Sequence, residues 1–563
     1  MINQGKQAAG KATVAGKARS EALSEALAPL LVSVGLVGLF CLVGATAVNA
    51  AAGVAFEQTD AAFQKTDANY QTHCADCHGA ERLGAMGPAL LPQNLKRLRQ
   101  PKAAKVIANG RVATQMPSFG DKLDSQQIEQ LVDYIYRPLA TMPVWGMDEM
   151  LASQIINHPY GSLPDTPSFE ADMQNLFMVV ELADHHVTVL DGDKFEPIHR
   201  FPSRFALHGG PKYSPDGRYV FFASRDGWIS KFDVYNLKVV AEIRAGINTR
   251  NLAVSGDGRY VMVANYLPHS LVVLDTKNLK PLKIIKTEIK DPEDPSKMIS
   301  SRVSAVYAAP PRNSFIAGLK DTKEVWEISY DDNPGNDYAG WVHDYEDNAS
   351  DARKLESFPI RRTKSRAHLD DFFFDQSYSL LLGTSREGEG LVLSLDSRRE
   401  VSSLEIEGMP HLSSGITWEY EGRTVMASPN IKKGAVSIID MDSWKTIKEI
   451  KTEGPGFFMR SHENSPYAWV DVFFGPNKDK VHVIDKSTLE IVKTLRPVPG
   501  KTAAHVEFTK DGRYALLSIW DNDGALIVYD ANTLEEVKRL PMKKPSGKYN
   551  VHNKTKYSAG TSH

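Results

Sequence analysis

One short pattern recurs along the chain and decides what it can fold into. Ser214-Pro-Asp-Gly-Arg-Tyr219, Ser255-Gly-Asp-Gly-Arg-Tyr260 and Thr509-Lys-Asp-Gly-Arg-Tyr514 each set an Asp-Gly pair between apolar runs, the signature of a tight hairpin. Degenerate copies stand at Arg312-Asn-Ser-Phe315, Asp375-Gln-Ser-Tyr378, Glu421-Gly-Arg-Thr424 and Asn464-Ser-Pro-Tyr467. Each unit also carries an alternating strand, ending at Asp191, Asp233, Asp275, Ser329, Asp396, Asp440, Asp485 and Asp530. Eight units of about 45 residues with four short strands apiece predict an eight-bladed β-propeller. A lone blade leaves both faces wet, so the ring must close. Residues 177–191 are expected to complete a blade with the C-terminal segment. Two longer units place insertions near 285–300 and 331–365.

Upstream of the repeat, Cys74-Ala75-Asp76-Cys77-His78 is C-x-x-C-H, the attachment signal of haem c. Two thiols three positions apart share one helical turn, so each can form a thioether to the same porphyrin, and His78 then lies under the iron. Zinc would need a second cysteine pair, and a redox dithiol has no use for the histidine. The sixth ligand is expected at Met116, in Gln115-Met116-Pro117-Ser118-Phe119. Met86 is disfavoured because the chain must travel around the haem edge to reach the far side. A thioether ligand suits electron transfer. After Met116, Asp124 or Ser125 caps a helix with Ile128, Leu131, Val132 and Ile135 on one face. Phe63 and Tyr70 read as packing residues of the helix before the motif.

Composition narrows the function. In 563 residues, 66 Lys and Arg face 69 Asp and Glu, which argues against nucleic-acid binding. Three cysteines cannot build a disulfide framework. Residues 1–56 hold a basic stretch (Lys6, Lys11, Lys17, Arg19) and an apolar run from Leu30 to Val43. That is a signal peptide, with Val48-Asn49-Ala50 as its cleavage site, or an uncut membrane anchor. Cys41 there is a small hydrophobe. Either way the bulk of the chain is exported to the periplasm, soluble or anchored to the inner membrane. The expected organisation is a small all-α cytochrome c domain at 57–140, a linker at 141–175 and the propeller at 176–563.

In a propeller the innermost strand of each blade is entered from one mouth of the central channel. Aligning the units on their hairpin turns brings His208, Arg250, His368, His411 and His505 to that mouth, with Phe458 in the seventh unit. Imidazoles beside guanidinium fit an anionic, metal-bearing ligand. Arg225, Arg302 and Tyr266 fall near the same region. His462 sits at the other end of its inner strand, and His185 and His186 are expected on the outer surface.

A c-type haem domain followed by an eight-bladed propeller resembles the cytochrome cd1 nitrite reductase family from about residue 57 to 563. Within it the chain is most similar to the branch that dehydrogenates dihydro-haem d1. Gly408-Met-Pro-His-Leu412, Phe457-Phe-Met-Arg-Ser-His-Glu-Asn-Ser-Pro-Tyr467, Lys501-Thr-Ala-Ala-His-Val-Glu-Phe508 and Lys544-Pro-Ser-Gly-Lys-Tyr-Asn550 carry that likeness. The resemblance implies that the propeller receives haem d1, a planar tetrapyrrole with several carboxylates. A nitrite reductase of this family needs two histidines over that ring. Here one of the segments concerned reads Asp294-Pro-Ser-Lys-Met-Ile-Ser-Ser-Arg302 and lacks one, which favours the dehydrogenase.

The implied activity turns a propionate side chain of dihydro-haem d1 into an acrylate and passes two electrons to haem c. By resemblance, His368 or His208 is the axial ligand of the substrate iron and His462 is a candidate for proton removal. His505 joins the catalytic set from the mouth. Arg225, Arg250, Arg302, Tyr266 and His411 hold the macrocycle. Haem d1 or its dihydro precursor is then substrate and product rather than resident cofactor. An exported electron acceptor and a nitrite reductase receiving haem d1 are the implied partners. The rival readings are a nitrite reductase and a non-catalytic haem d1 carrier.

Overall fold

The computed structural model describes residues 63–85, 87–96, 98–110, 116–141, 143–334, 357–385, 388–404 and 406–556. The leader, Cys41 and Met86 lie outside the described residues. Residues Lys65–His563 form one compact unit. Among the described residues, no helix is long and apolar enough to cross a membrane.

The helical part runs through a helix over 63–73 and then Ala75–His78, Pro92–Leu95, Gln100–Asn109 and Ser125–Tyr136. The last helix starts as its sequence dictates. The Asp124 carboxylate accepts the Gln127 backbone N–H at 2.8 Å, and the Gln127 side chain accepts the Asp124 N–H at 2.9 Å. Its predicted face is buried at Ile128, Leu131, Val132 and Ile135. These pack with Tyr70, Leu95, Ile107 and Phe119 in one core. Tyr70 is fully buried and donates to the Gly79 carbonyl, whereas Phe63 stays 41% exposed. Asp124→Ala is expected to cost this domain about 1 kcal/mol, read as a lower melting midpoint of the helical part.

Eight antiparallel blades follow. Blades 2 to 8 begin with inner strands Lys212–Tyr213, Asn248–Val254, Val303–Ala309, Asp371–Phe374, Ile416–Tyr420, Met459–Ser461 and Ala503–Phe508. Blade 1 takes its second strand, Leu176–Glu181, from the start of the repeat and its inner strand, Pro545–Asn550, from the end of the chain. That pairing closes the ring as the sequence requires. The linker adds a helix, Met147–Ser153, and a fifth strand, Ile155–Ile156, on the outer edge of blade 2. The first insertion is a hairpin of Glu288–Lys290 with Met298–Ser300.

The repeated residues hold the two turns of each blade. In the Asp-Gly turns, Gly217, Gly258 and Gly512 have φ of 76°, 73° and 74°, a region costly for residues with a Cβ. The aspartate ending the third strand accepts backbone N–H groups two or three residues on, as at Asp191, Asp233, Asp440, Asp485 and Asp530. Apolar side chains on neighbouring sheets fill the space between blades. Trp326 and Trp469 are fully buried there.

The cytochrome unit is seated on blades 2 and 3. Ala89, Leu91, Ile247 and Leu267 form a shared apolar cluster. Arg244, at the end of blade 2, donates to the carbonyls of Leu83 and Gly84, just after the C-x-x-C-H motif. Its guanidinium lies 4.6 Å from the centroid of Trp145. Arg244→Met would strand those carbonyls at a buried seam, at an expected cost of about 1–3 kcal/mol. A lower midpoint in denaturant unfolding would report the loosened seat.

Candidate active site

The helical domain and the propeller face each other across a cavity of about 1940 Å³. One wall carries Cys74, Cys77, His78 and Met116, and the other carries Arg225, Tyr266, Arg302 and His368. The mouth of the propeller therefore opens toward the C-x-x-C-H motif.

The haem c side fits its group. The His78 Nδ1 lies 2.8 Å from the Pro88 carbonyl, a contact that fixes the tautomer and leaves Nε2 for iron. Gly87 lies so close that a Cβ there would fall 2.8 Å from the His78 ring. Burial, then the neighbouring Cys77, push the Cys74 thiol up to about 11. A redox dithiol needs a lowered pKa instead, so thioether attachment remains the chemistry that suits the pair. Met116 packs against the domain core and faces the same cavity.

On the propeller wall, His368 is exposed and makes no hydrogen bond among the described residues. It stands just before the inner strand of blade 5. His208 differs. Its Nδ1 is 2.8 Å from the Arg250 carbonyl and its Nε2 is 2.6 Å from Arg225 Nη2. Both nitrogens are engaged, so His208 steadies Arg225, whose guanidinium lines the cavity. Arg302 pairs with Asp321 and lies 5.6 Å over the Tyr266 ring.

The other aligned residues lie off the cavity wall, on the inner strands or just before them. In blade 3, Thr249 pairs with Asn265 and Asn251 with Ala264, so Arg250 is an extra, bulged residue. In blade 8, Ala504 pairs with Ser518 and Val506 with Leu517, which bulges His505 into a left-handed φ of 56°. Such bulges re-aim a side chain. The His505 ring sits between Phe458 and Tyr549, at 4.8 and 5.2 Å, and its Nδ1 has no hydrogen-bond partner among the described residues. His411 stacks on Phe457 at 4.0 Å, with its Nε2 3.8 Å from Asp371.

One expectation needs correction. His185 and His186 are not on the outer surface. His185 ends the turn between the second and third strands of blade 1 and His186 opens the third strand, and both form part of the cavity wall. His462 lies outside that cavity, packed between blades 7 and 8. A Cβ on Gly512 would come within 2.3 Å of its Nδ1, which accepts the Asn464 backbone N–H. Gly512→Ala is expected to destabilise by about 1–2 kcal/mol or more from its positive φ alone, measured by denaturant unfolding.

Burial holds His411, His462, His482 and His505 below the ordinary histidine range. Below pH 6.5 the unfolded chain takes up protons that these rings refuse. Each therefore removes up to about 1.4 kcal/mol of stability per pH unit. Asp471, pushed up to about 7 by burial, opposes them with one proton. Thermal melts should show stability falling from pH 7 toward pH 5; a flat profile would contradict neutral buried rings.

Comparison with known proteins bears on this arrangement. A family model described as the cytochrome D1 heme domain matches residues 171–554. A second, described as cytochrome C oxidase, cbb3-type, subunit III, matches residues 61–135. A dihydro-heme d1 dehydrogenase of Pseudomonas aeruginosa is 55% identical over 497 residues, spanning 88% of this chain and 95% of that protein. A nitrite reductase of Stutzerimonas stutzeri is 23% identical over 582 residues, spanning 94% and 98%. Among solved structures, dihydro-heme d1 dehydrogenase NirN in complex with DHE superposes with a TM-score of 0.80 at 55% identity, covering 87% of this chain and 99% of that one.

Proposed function

Because the chain belongs to the cytochrome D1 heme domain family, we propose that the cavity takes a dihydro-haem d1 and that the protein is its dehydrogenase. The observation that carries this is the single cavity walled by the C-x-x-C-H motif on one side and by His368, Arg225 and Arg302 on the other. A propionate becoming an acrylate loses two protons and two electrons. Cys74, Cys77, His78 and Met116 would hold a haem c, which would supply a one-electron acceptor beside the cavity.

The remaining roles belong to side chains. His368 is an exposed, uncommitted imidazole on the wall and holds the substrate iron. Arg225, steadied by His208, binds a carboxylate of the macrocycle together with Arg302. Tyr266 lies beneath Arg302 and fixes its plane. Arg250 stands off the wall and sets the charge under the ring, with His411 stacked on Phe457 beside it. His505 is the proposed proton acceptor. Burial keeps its imidazole neutral, and the carboxylates arriving with substrate would raise its basicity. His462, the candidate that the family likeness supplies, is the proposed acceptor of the second proton.

The chain acts in the periplasm, delivers electrons to an exported acceptor and hands haem d1 to a nitrite reductase. The test of the acid–base assignment is His505→Gln in the haem-c-loaded protein. Retained substrate binding with slowed conversion supports it; an unchanged conversion rate removes His505 from the reaction.

A further inference from the structure

The cytochrome domain carries a surface of one charge. Residues 82–120 hold seven Lys or Arg and no Asp or Glu, in a chain whose 66 basic and 69 acidic residues nearly balance. The helix Gln100–Asn109 lies within this segment. Its Ala103 and Ile107 are buried, and with Val106 they wall the cavity that also holds Cys74 and Cys77. Lys102 and Lys105 stand about one turn apart on the side away from that buried pair. Arg99, the residue capping the helix start, and Lys96 stand just before them, and all four cations are exposed.

None of the four makes an ion pair among the described residues. The carboxylates of the facing propeller wall do not offset them, because Asp184 is held by Arg200, Asp321 by Arg302 and Asp370 by Lys320. Asp76, in the C-x-x-C-H motif, is the carboxylate that the cytochrome domain adds to the cavity rim beside Lys96 and Lys102. Nor does the helix gain from the row. Its first turn has no acidic residue and instead receives Arg99 and Lys102, where cations oppose the helix dipole.

Exposed cations without partners add little to stability, but several of one sign on one surface steer an oppositely charged partner. A helix is about 10 Å across, so a partner on its outer side comes about that close to the pocket of the C-x-x-C-H motif. The dehydrogenase reading, on which this rests, releases two electrons beside a haem that holds one, so a carrier must take the first before the second can follow. We propose that Lys96, Arg99, Lys102 and Lys105 form the docking face of an acidic one-electron carrier protein. The carrier gains one electron there as the haem c iron goes from ferrous to ferric.

The test uses the full haem-c-loaded protein, reduced with ascorbate, and an acidic plastocyanin as the probe. Affinity is measured by calorimetry with both proteins reduced, and haem c oxidation by stopped flow with oxidised plastocyanin. Both are expected to fall about tenfold or more between about 0.02 M and about 0.2 M salt. Lys102→Glu combined with Lys105→Glu should lower both about tenfold or more at low salt, with the haem c spectrum unchanged. A basic cytochrome c as the probe should bind the unaltered protein more weakly and gain affinity in the double variant. The salt series needs no variant, so it decides the matter even if the double variant fails to fold. No macrocycle is present, so failure here is separate from failure of the dehydrogenase reading. Plastocyanin affinity insensitive to salt and to charge reversal overturns the proposal. So does unchanged plastocyanin affinity in a double variant that instead loses dihydro-haem d1 binding or binding to phosphatidylglycerol vesicles, which would make the face a guide for the macrocycle or a membrane contact.

Discussion

Replacing His368 with alanine is expected to slow conversion of the dihydro macrocycle by about 100-fold or more while leaving the haem c spectrum as it was. The side chain stands exposed on the cavity wall with no hydrogen bond to give up among the described residues, so its removal should cost the fold little. On the proposed assignment, it also removes the ligand of the substrate iron. His208→Ala should act differently. That ring is held between the Arg250 carbonyl and Arg225, and losing it lets Arg225 drift. The expected signature is weaker binding with the iron spectrum of bound substrate retained. If His208→Ala changes that iron spectrum and His368→Ala does not, the ligand assignment is reversed.

Ending the chain at Lys544 is expected to abolish folding of the propeller. The lost strand pairs Phe177, Met178, Val179, Val180 and Glu181 with Asn550, Tyr549, Lys548, Gly547 and Pro545. At about 1 kcal/mol for each backbone hydrogen bond, plus about 2 kcal/mol for burying Val551, the loss reaches several kcal/mol. It also opens the ring and bares the edge of Leu176–Glu181. A domain's whole stability is about 5–15 kcal/mol, so the truncated chain should show no cooperative melt. A melt within a few degrees of the full chain would contradict closure by this strand.

The architecture was legible because the residues that repeat are those the turns cannot do without. Gly217, Gly258 and Gly512 mark the left-handed positions, and the aspartates that end the third strands mark the next turn. Strand closure followed from the need to cover a first blade. The candidate site was harder to read. Alignment on the hairpin sampled only the residues entering each inner strand, so it found His368 and His208. The wall is also built from turns between second and third strands, and one of those carries His185 and His186.

Bulges were invisible as well. Arg250 and His505 belong to inner strands, but an extra residue in each register turns them from where alternation would point. His462 came from family likeness alone, and its ring packs against the Gly512 turn.

The central claim is that one cavity lets a macrocycle on the propeller reduce haem c. Anaerobic mixing of oxidised, haem-c-loaded protein with dihydro-haem d1, followed by absorption spectroscopy, addresses it directly. The haem d1 spectrum should grow as the haem c band shifts to its reduced form, with two equivalents of haem c reduced per macrocycle converted. A bound macrocycle whose spectrum stays that of the dihydro form, over haem c that stays oxidised, would contradict the claim; nitric oxide formed from nitrite by the reduced protein would point to the reductase instead.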